Sequence, residues 1–220
     1  MQPLALFDLD DTLVDRHAAF HAWAEEFATA HRLDDAALTF LLMADAHHRG
    51  PMDSYFATVC ETFDLAEPPD QLWRQYRARM PELASCRAED LNALRHLRRT
   101  GWRIGIVTNG MTDNQLAKIR NTGLADIAEA WAISDEVGIR KPDPEIFRLV
   151  AGRCAANPDN GGWMIGDDLI LDIAGGHAAG LRTIWLQPQR RPESWSFIGP
   201  EPNFTVDSVA EAVEVLLRQR

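Results

Sequence analysis

The segment LALFDLDDTL at residues 4–13 decides the fold of this chain. Its apolar start at residues 4–7 predicts a short buried strand. Three carboxylates follow directly, at Asp8, Asp10 and Asp11. Such crowding of negative charge at a strand end is electrostatically costly unless a cation compensates it. The segment therefore predicts a buried strand that delivers acidic side chains, and with them a metal site, to its carboxyl end.

The composition is that of a globular chain with a sizeable core. Of the 220 residues, 46% are hydrophobic and 25% are charged, which fits one unit or a domain that carries a smaller insertion. The formal charge of −11 argues against a protein that neutralises many nucleic-acid phosphates. The three cysteines lack metal-binding spacing and predict reduced, buried thiols. No run approaches the roughly 20 apolar residues of a membrane span, so we expect a cytoplasmic protein with neither a membrane nor a nucleic-acid partner.

The order of helix and strand signals predicts two kinds of structure. From about residue 16 to 79, apolar residues recur at helical spacing and no convincing strand appears, which predicts a small all-helical insertion after the first strand. After Pro81, strand and helix signals alternate, which predicts an α/β fold with a doubly wound parallel sheet. Residues 188–202, with four prolines, predict an irregular loop. We therefore assign 1–15 and 80–220 to a Rossmann-like core and 16–79 to a helical domain.

Three further polar motifs occupy positions that matter in such a sheet. TNG at residues 108–110 follows a predicted strand and offers donors for an anion. RKPDP at 140–144 places Lys141 on a loop, since Pro142 cannot continue a helix. GDDLILD at 166–172 repeats the pattern of an apolar strand that leads into acids. Because ligands bind at the carboxyl ends of strands in open sheets, we expect these motifs to share one site.

Each motif taken alone also has an ordinary structural interpretation. Acids after a strand often cap the next helix, and Thr, Asn and Gly are favoured in turns. A lone lysine is most often part of the solvated surface. The occurrence of all four motifs, each in its expected strand context, favours the functional interpretation.

Together and in this order, FDLDDTL at 7–13, TNG at 108–110, RKPDP at 140–144 and GDDLILD at 166–172 resemble the four motifs of the haloacid dehalogenase-like (HAD) hydrolase superfamily. The resemblance covers the predicted sheet domain nearly end to end. The helical stretch takes the position of the family's cap domain, although its sequence does not match. The resemblance therefore implies a phosphatase-type core with a cap inserted after the first motif.

The resemblance implies a role for each residue of the site. Asp8 would be the nucleophile that forms an aspartyl-phosphate, which splits one difficult displacement into two easier ones. Asp10 would be the general acid and base. Thr108 and Asn109 would hold phosphoryl oxygens, and Lys141 would stabilise charge on the nucleophile and on the transferring group.

The resemblance also implies magnesium as the cofactor. Its ligands would be the Asp8 carboxylate, the Asp10 backbone carbonyl and Asp167. Hard cations of this kind prefer oxygen ligands and leave positions for water and substrate phosphate.

The fourth motif leaves the assignment of its acids open. Asp172 would support the metal-bound waters or Lys141 from close by. Asp168 directly follows Asp167, and either could pair with Asp172 at a spacing that the family uses. The Gly166-Asp167 step favours Asp167 as the metal ligand, with Asp168 beside it.

The function implied is magnesium-dependent hydrolysis of a phosphomonoester, with a small phosphorylated metabolite such as a nucleotide or a sugar phosphate as substrate. A haloacid dehalogenase is one alternative, but dehalogenases of this family lack an acid at the position of Asp10. A non-catalytic regulatory protein is another, but it would be expected to have lost at least one site residue. A phosphotransferase or mutase would use the same residues and differ only in its acceptor.

The resemblance places substrate specificity in the helical insertion. Its polar and aromatic candidates are His17, His21, Trp23, His47, His48, Arg49, Tyr55, Trp73, Arg74 and Tyr76. The aromatic residues lie mostly at helical spacing, so packing in the core of the insertion is the preferred interpretation. We expect a monomer, with the loop around Trp195 and Phe197 either covering the sheet edge or meeting a second subunit.

Overall fold

The structure is a computed structural model in which part of the chain is described. The described residues are 2–48, 50–156, 161–187 and 198–219. The sequence-based expectations for Arg49, Trp195 and Phe197 concern positions outside these ranges.

The chain separates into two compact units. One consists of Met1–Asp15 together with Ser85–Arg220, and the other is the helical segment Arg16–Ala84. The helices of the second unit are α1 (Arg16–His31), α2 (Asp35–His47), α3 (Met52–Phe63) and α4 (Pro69–Leu83).

The boundary between the units lies slightly later than the sequence predicts. Pro81 predicts a helix end because it lacks an N–H donor, but α4 accommodates it near its end and continues to Leu83. A proline in this position removes a single helical hydrogen bond, and Met80 beside it is fully buried. The helical unit therefore ends at Ala84, whereas the sequence places its end at residue 79.

Aromatic side chains form the core of the helical unit. Trp23 stacks on Phe27, with ring centroids 4.9 Å apart, and meets Tyr76 edge to face at 5.0 Å. Such aromatic pairs contribute about 0.5–1.5 kcal/mol beyond the area they bury. Tyr55 is also buried, and its hydroxyl donates to the Leu41 carbonyl oxygen at 3.2 Å. The expected core role of the aromatic residues is thus confirmed for Trp23, Tyr55 and Tyr76.

The other candidates of the helical unit lie nearer its surface. His21 lies within 3.4 Å of Glu25, and Arg74 pairs with Asp70 at 2.8 Å, both across one helical turn. Exposed pairs of this kind contribute little to stability.

The first unit is built on a six-stranded sheet in which every neighbouring pair is parallel. Its spatial order is β3-β2-β1-β4-β5-β6. The strands are β1 (Leu4–Phe7), β2 (Arg103–Thr108), β3 (Ala130–Ile133), β4 (Gly162–Gly166), β5 (Arg182–Leu186) and β6 (Phe204–Val206). The prediction of a parallel α/β sheet is confirmed, and β1 lies at its centre, where the strand order reverses.

Helices connect and flank these strands. They are α5 (Ala88–Arg99), α6 (Thr112–Asn121), α7 (Ser134–Val137), α8 (Pro144–Arg153), α9 (Gly175–Ala178) and α10 (Val209–Arg218), with a 3₁₀ turn at Leu124–Asp126 and a π-helix at Leu169–Ala174. None of the helices in the described part of the chain has the length and apolar character needed to span a membrane.

The sheet core leaves no space for a side chain at Gly105 in β2. A Cβ atom there would lie 2.6 Å from Val150 Cγ1 and 2.8 Å from Leu6 Cδ2. Gly152 in α8 provides a contrast, because nothing lies within 4 Å of the position that its Cβ would occupy.

We expect Gly105→Ala to lower the free energy of unfolding by about 1–3 kcal/mol, because overpacking forces neighbouring side chains off their rotamers. Gly152→Ala should leave stability unchanged or raise it by up to about 1 kcal/mol, because alanine favours helices. Urea unfolding of both variants measures the difference. Equal stability of the two would contradict the packing described here.

Candidate active site

Asp8 lies at the carboxyl end of the central strand. It follows β1, and its backbone N–H donates to the Ile165 carbonyl oxygen of β4 at 2.9 Å. The chain then turns back, with the N–H groups of Leu13 and Val14 both donating to the Leu9 carbonyl oxygen. This turn places the Thr12 hydroxyl 3.4 Å from Asp8 Oδ2. The Asp8 carboxylate is therefore buried and lies at the carboxyl-terminal end of the parallel strands.

Lys141 joins two carboxylates that are far apart in sequence. Its Nζ donates to Asp8 Oδ1 and, at 2.6 Å, to Asp172 Oδ1. Its side chain is 3% exposed. The Asn109 side chain fixes the Lys141 backbone from both sides, accepting from its N–H at 2.9 Å and donating to its carbonyl oxygen at 3.1 Å. The ammonium group thus has a fixed position between two acids.

The acids after β4 have separate roles. Asp168 caps the π-helix, because its Oδ1 accepts from the N–H groups of Ile170 and Leu171, each at 2.8 Å. Its own N–H donates to Asp172 Oδ2 at 3.1 Å. Asp167 lies within 3.4 Å of the Thr12 hydroxyl. Asp168 is thus engaged as a helix cap, whereas a carboxylate oxygen of Asp167 lies within 4.8 Å of one of Asp8, and the preference for Asp167 as the metal ligand stays a prediction.

Gly166 makes the approach of Asp172 possible. A Cβ atom on Gly166 would lie 2.2 Å from Asp172 Oδ2, a distance that no side chain can tolerate. Position 166 must therefore be a glycine for the Asp172 carboxylate to fit in this place.

The arrangement of acids fits a divalent cation. Asp8, Asp167 and Asp172 each offer a carboxylate oxygen, and these oxygens lie within 4.8 Å of one another. Asp167 forms no salt bridge with any side chain in the described ranges. Oxygen donors of this charge suit magnesium, and a cation would compensate the charge of Asp167.

The electrostatics of the site reflect this crowding. Burial raises the pKa of Asp8 to about 7, and the charge of Asp172 adds to the shift while Lys141 opposes it. Burial and the charge of Asp8 raise the pKa of Asp167 to about 9. The pKa of Lys141 is raised, since burial acts to lower it but the charges of Asp172 and Asp8 outweigh that effect.

Asp10 has a second lysine for a partner. Lys118 Nζ lies 2.7 Å from Asp10 Oδ1 and 2.9 Å from Oδ2. Gln115 Nε2 donates to Asp10 Oδ2 and to the Thr108 hydroxyl, both at 2.9 Å. Neither residue of α6 belongs to the four sequence motifs, and an amphipathic helix commonly carries Lys and Gln on its surface.

One signal in the sequence could have indicated Lys118. Only two of the 22 Lys and Arg residues are lysines, and these are Lys118 and Lys141. Both are 3% exposed, and both pair with acids of the first motif.

These contacts join the predicted site residues into one network. Its members are Asp8, Asp10, Thr108, Asn109, Lys141, Asp167, Asp168 and Asp172.

Known proteins are similar to this chain over most of its length. The family model described as haloacid dehalogenase-like hydrolase matches residues 3–180. The chain is 27% identical to the glyceraldehyde 3-phosphate phosphatase of Pyrococcus furiosus, with 97% of this chain and 92% of that protein covered. It resembles the structure of the HAD-hydrolase YfnB of Bacillus subtilis, bound to magnesium, at a TM-score of 0.78 and 22% identity, over 98% and 99% of the two chains. That likeness shows the fold.

A stronger match covers a shorter part of the sequence. The chain is 38% identical to pyrimidine 5'-nucleotidase YjjG of Escherichia coli (strain K12) over 117 residues, which are 53% of this chain and 50% of that protein. The chain spans about half of the length of several curated relatives that it matches.

The raised pKa of Asp167 predicts how stability depends on pH without a metal. Between the ordinary value of 3.8 and the native value of about 9, the native state retains a proton that the unfolded state has lost. The free energy of unfolding should therefore fall as pH rises through this range in the presence of chelator. Asp167→Asn should reduce this fall and raise the melting temperature at about pH 8, by about 2–4 °C for each kcal/mol recovered. Thermal unfolding of the wild type and the variant at several pH values measures the effect.

Magnesium should stabilise the wild type and not Asp167→Asn. A hundredfold excess over Kd corresponds to about 2.7 kcal/mol. Asp168→Asn is the matched control, because asparagine caps helices as well as aspartate does, and it should keep the magnesium response. A full magnesium response in Asp167→Asn would rule out Asp167 as a ligand.

Proposed function

Because the chain belongs to the haloacid dehalogenase-like hydrolase family, we propose that it is a magnesium-dependent phosphomonoester hydrolase that works through an aspartyl-phosphate. The observation that carries this proposal is the pairing of Asp8 with Lys141 beside Asp167 and Asp172, at the carboxyl end of the central strand. The family and the fold support a hydrolase, and the roles below are proposed from this geometry.

Asp8 is the nucleophile in this proposal. One of its carboxylate oxygens attacks the substrate phosphorus, and the bond from phosphorus to the leaving oxygen breaks, which leaves an aspartyl-phosphate. The attack needs the ionised carboxylate. Lys141 supports that form because its ammonium group lies against Asp8, and it would also meet the negative charge of the transferring group.

Asp10 transfers the protons in both half-reactions. In the first, its carboxyl group gives a proton to the departing alkoxide. In the second, its carboxylate takes a proton from a water molecule whose oxygen attacks phosphorus. The bond to Asp8 then breaks, and inorganic phosphate leaves. The Asp10 side chain is 23% exposed, so both substrate and water could reach it.

Thr108 and Lys141 are the proposed contacts of the phosphoryl oxygens, together with Asn109. Thr108 ends β2 and is buried, with its hydroxyl beside Gln115. The Asn109 side chain already binds the Lys141 backbone, so its contribution includes holding Lys141 in place.

Magnesium would be held by the carboxylates of Asp8 and Asp167 and the backbone carbonyl of Asp10. When bound, it supplies positive charge that polarises the phosphoryl group. Asp172 serves this site by holding Lys141, with which it forms a 2.6 Å contact.

The proposed substrate class is a small phosphorylated metabolite. Among the similar proteins, one is named a glyceraldehyde 3-phosphate phosphatase and another a pyrimidine 5'-nucleotidase. Triose phosphates, sugar phosphates and nucleotides are therefore the first compounds to test. A monomeric state and a cytoplasmic location are part of the proposal.

The central experiment measures phosphate release from para-nitrophenyl phosphate. We expect release by the wild type with magnesium, none with excess chelator, and a loss of more than about 1,000-fold in kcat for Asp8→Asn, which removes the nucleophile. Asp207→Asn, an exposed Asp in the same unit, serves as the matched control and should keep full activity.

A panel of phosphometabolites should follow with the wild type. Phosphate release that does not depend on Asp8 would refute the proposed mechanism. Transfer of phosphate to a second metabolite without release would indicate a phosphotransferase that uses the same residues.

A further inference from the structure

Two buried side chains of α6 point at Asp10 from one helical face. Gln115 and Lys118 lie three positions apart in the sequence, which places them one above the other on a helix. Their residues are 2% and 3% exposed. Lys118 contacts both oxygens of the Asp10 carboxylate, and Gln115 donates to one of them. The helix therefore presents a preformed set of donors to a single acid.

The presence of a lysine at this position calls for an explanation. Lysine is almost never fully buried unless it is paired. Buried ion pairs are weak contributors to stability, because the cost of removing two charges from water offsets their attraction. Apart from Lys118 and Lys141, each of the 22 Lys and Arg residues of the chain is an arginine. The compact ammonium group of lysine is thus retained at the two positions where it meets the acids of the first motif.

Asp10 needs such donors because the backbone alone does not fix its carboxyl group. The residue lies beyond the end of β1, in a turn where it forms an isolated bridge with Val14. Its side chain could otherwise occupy several staggered rotamers. Donors on two sides of the carboxylate select one of them.

Gln115 also links Asp10 to the end of β2. The same Nε2 atom lies 2.9 Å from the Thr108 hydroxyl oxygen and 3.0 Å from the Asn109 carbonyl oxygen. The proton-transfer group and the proposed phosphate contacts are therefore held by one side chain. A displacement of α6 would move both together.

We propose that Lys118 and Gln115 are positioning residues that hold the Asp10 carboxyl group in place for proton transfer to the leaving oxygen. This inference rests on the proposed function. If it is correct, loss of Lys118 slows the first half-reaction, and the slowing is larger for a leaving group that needs a proton. A merely structural residue would have no such dependence.

The test compares two substrates with Lys118→Met, which keeps the aliphatic length and removes the donor. With β-glycerol phosphate, an alkyl ester whose leaving alkoxide needs a proton, kcat/KM should fall by about 100-fold or more. With para-nitrophenyl phosphate, whose leaving group departs as a stable anion, the fall should be less than about tenfold. The ratio kcat/KM is chosen because it covers steps up to the formation of the aspartyl-phosphate.

Three controls accompany this variant. Lys118→Arg restores a cation and should recover part of the loss with the alkyl ester. Arg120→Met removes an exposed cation from the same helix and should change neither substrate's kcat/KM. Asp10→Asn should show the same substrate dependence as Lys118→Met, and the double variant should lose little more than Asp10→Asn alone.

A spectroscopic measurement tests the contact itself. Because the chain has two lysines, protein labelled with ¹³C at lysine Cε gives two lysine signals, which Lys118→Arg assigns. Asp10→Asn should displace the Lys118 signal and leave that of Lys141 in place, whereas Asp8→Asn should do the reverse. This measurement does not depend on enzyme activity, and it does not require that the Lys118→Met variant folds.

The outcomes separate the two proposals. If the wild type hydrolyses both esters and Lys118→Met loses equal amounts with each, the positioning role is wrong and the phosphohydrolase remains. An unmoved Lys118 signal in Asp10→Asn would also overturn the positioning role. If the wild type releases no phosphate from any ester, both proposals fail.

Discussion

The site depends on one buried ammonium group shared by two carboxylates. Lys141 meets Asp8 and Asp172 where both are nearly free of solvent, and these residues come from three separate parts of the chain. Removing three charges from water is costly, and the cost is tolerable only with close contacts that satisfy each group. This contact ties the end of β1, the loop before α8 and the π-helix after β4 to one point.

The acids of the first motif are compensated in different ways. Asp8 is buried beside Lys141 and two further carboxylates, and its pKa is raised to about 7. Asp10 is partly exposed and faces Lys118 and Gln115 from α6. Two carboxyl groups that are two residues apart thus occupy distinct environments. Pairs of this kind are suited to distinct chemical roles, since environment rather than residue type decides which group attacks and which transfers protons.

The parts of the fold that follow from local patterns were predictable. The apolar runs before Asp8 and before Asp167 predict buried strands that end in acids, and both strands are present. The third strand-end motif, at Thr108, also lies at its predicted strand end. Three apolar runs that end in polar motifs are enough to indicate a parallel sheet whose strands share one ligand site at their carboxyl ends.

Other features depend on contacts that the sequence does not display. The short strand β6 (Phe204–Val206) was not predicted, because two of its three residues are exposed and it lacks the apolar run of a central strand. The end of α4 was misplaced, because packing of the helix outweighs the hydrogen bond lost at Pro81. The contact of Lys118 with Asp10 could not be predicted, because a single lysine in a helical sequence has the same pattern whether it faces solvent or an acid.

The spacing of the fourth motif has a steric origin that joins these observations. Asp172 must reach back to Lys141 while its second oxygen accepts from the Asp168 N–H. That position is open only because Gly166 has no side chain. The π-helix that carries Asp172 is wider than an α-helix, and such turns occur frequently at functional sites. Three features of the motif thus serve a single contact. Gly166 leaves space, Asp168 caps the helix, and Asp172 follows one turn later. Together they bring a carboxylate to Lys141.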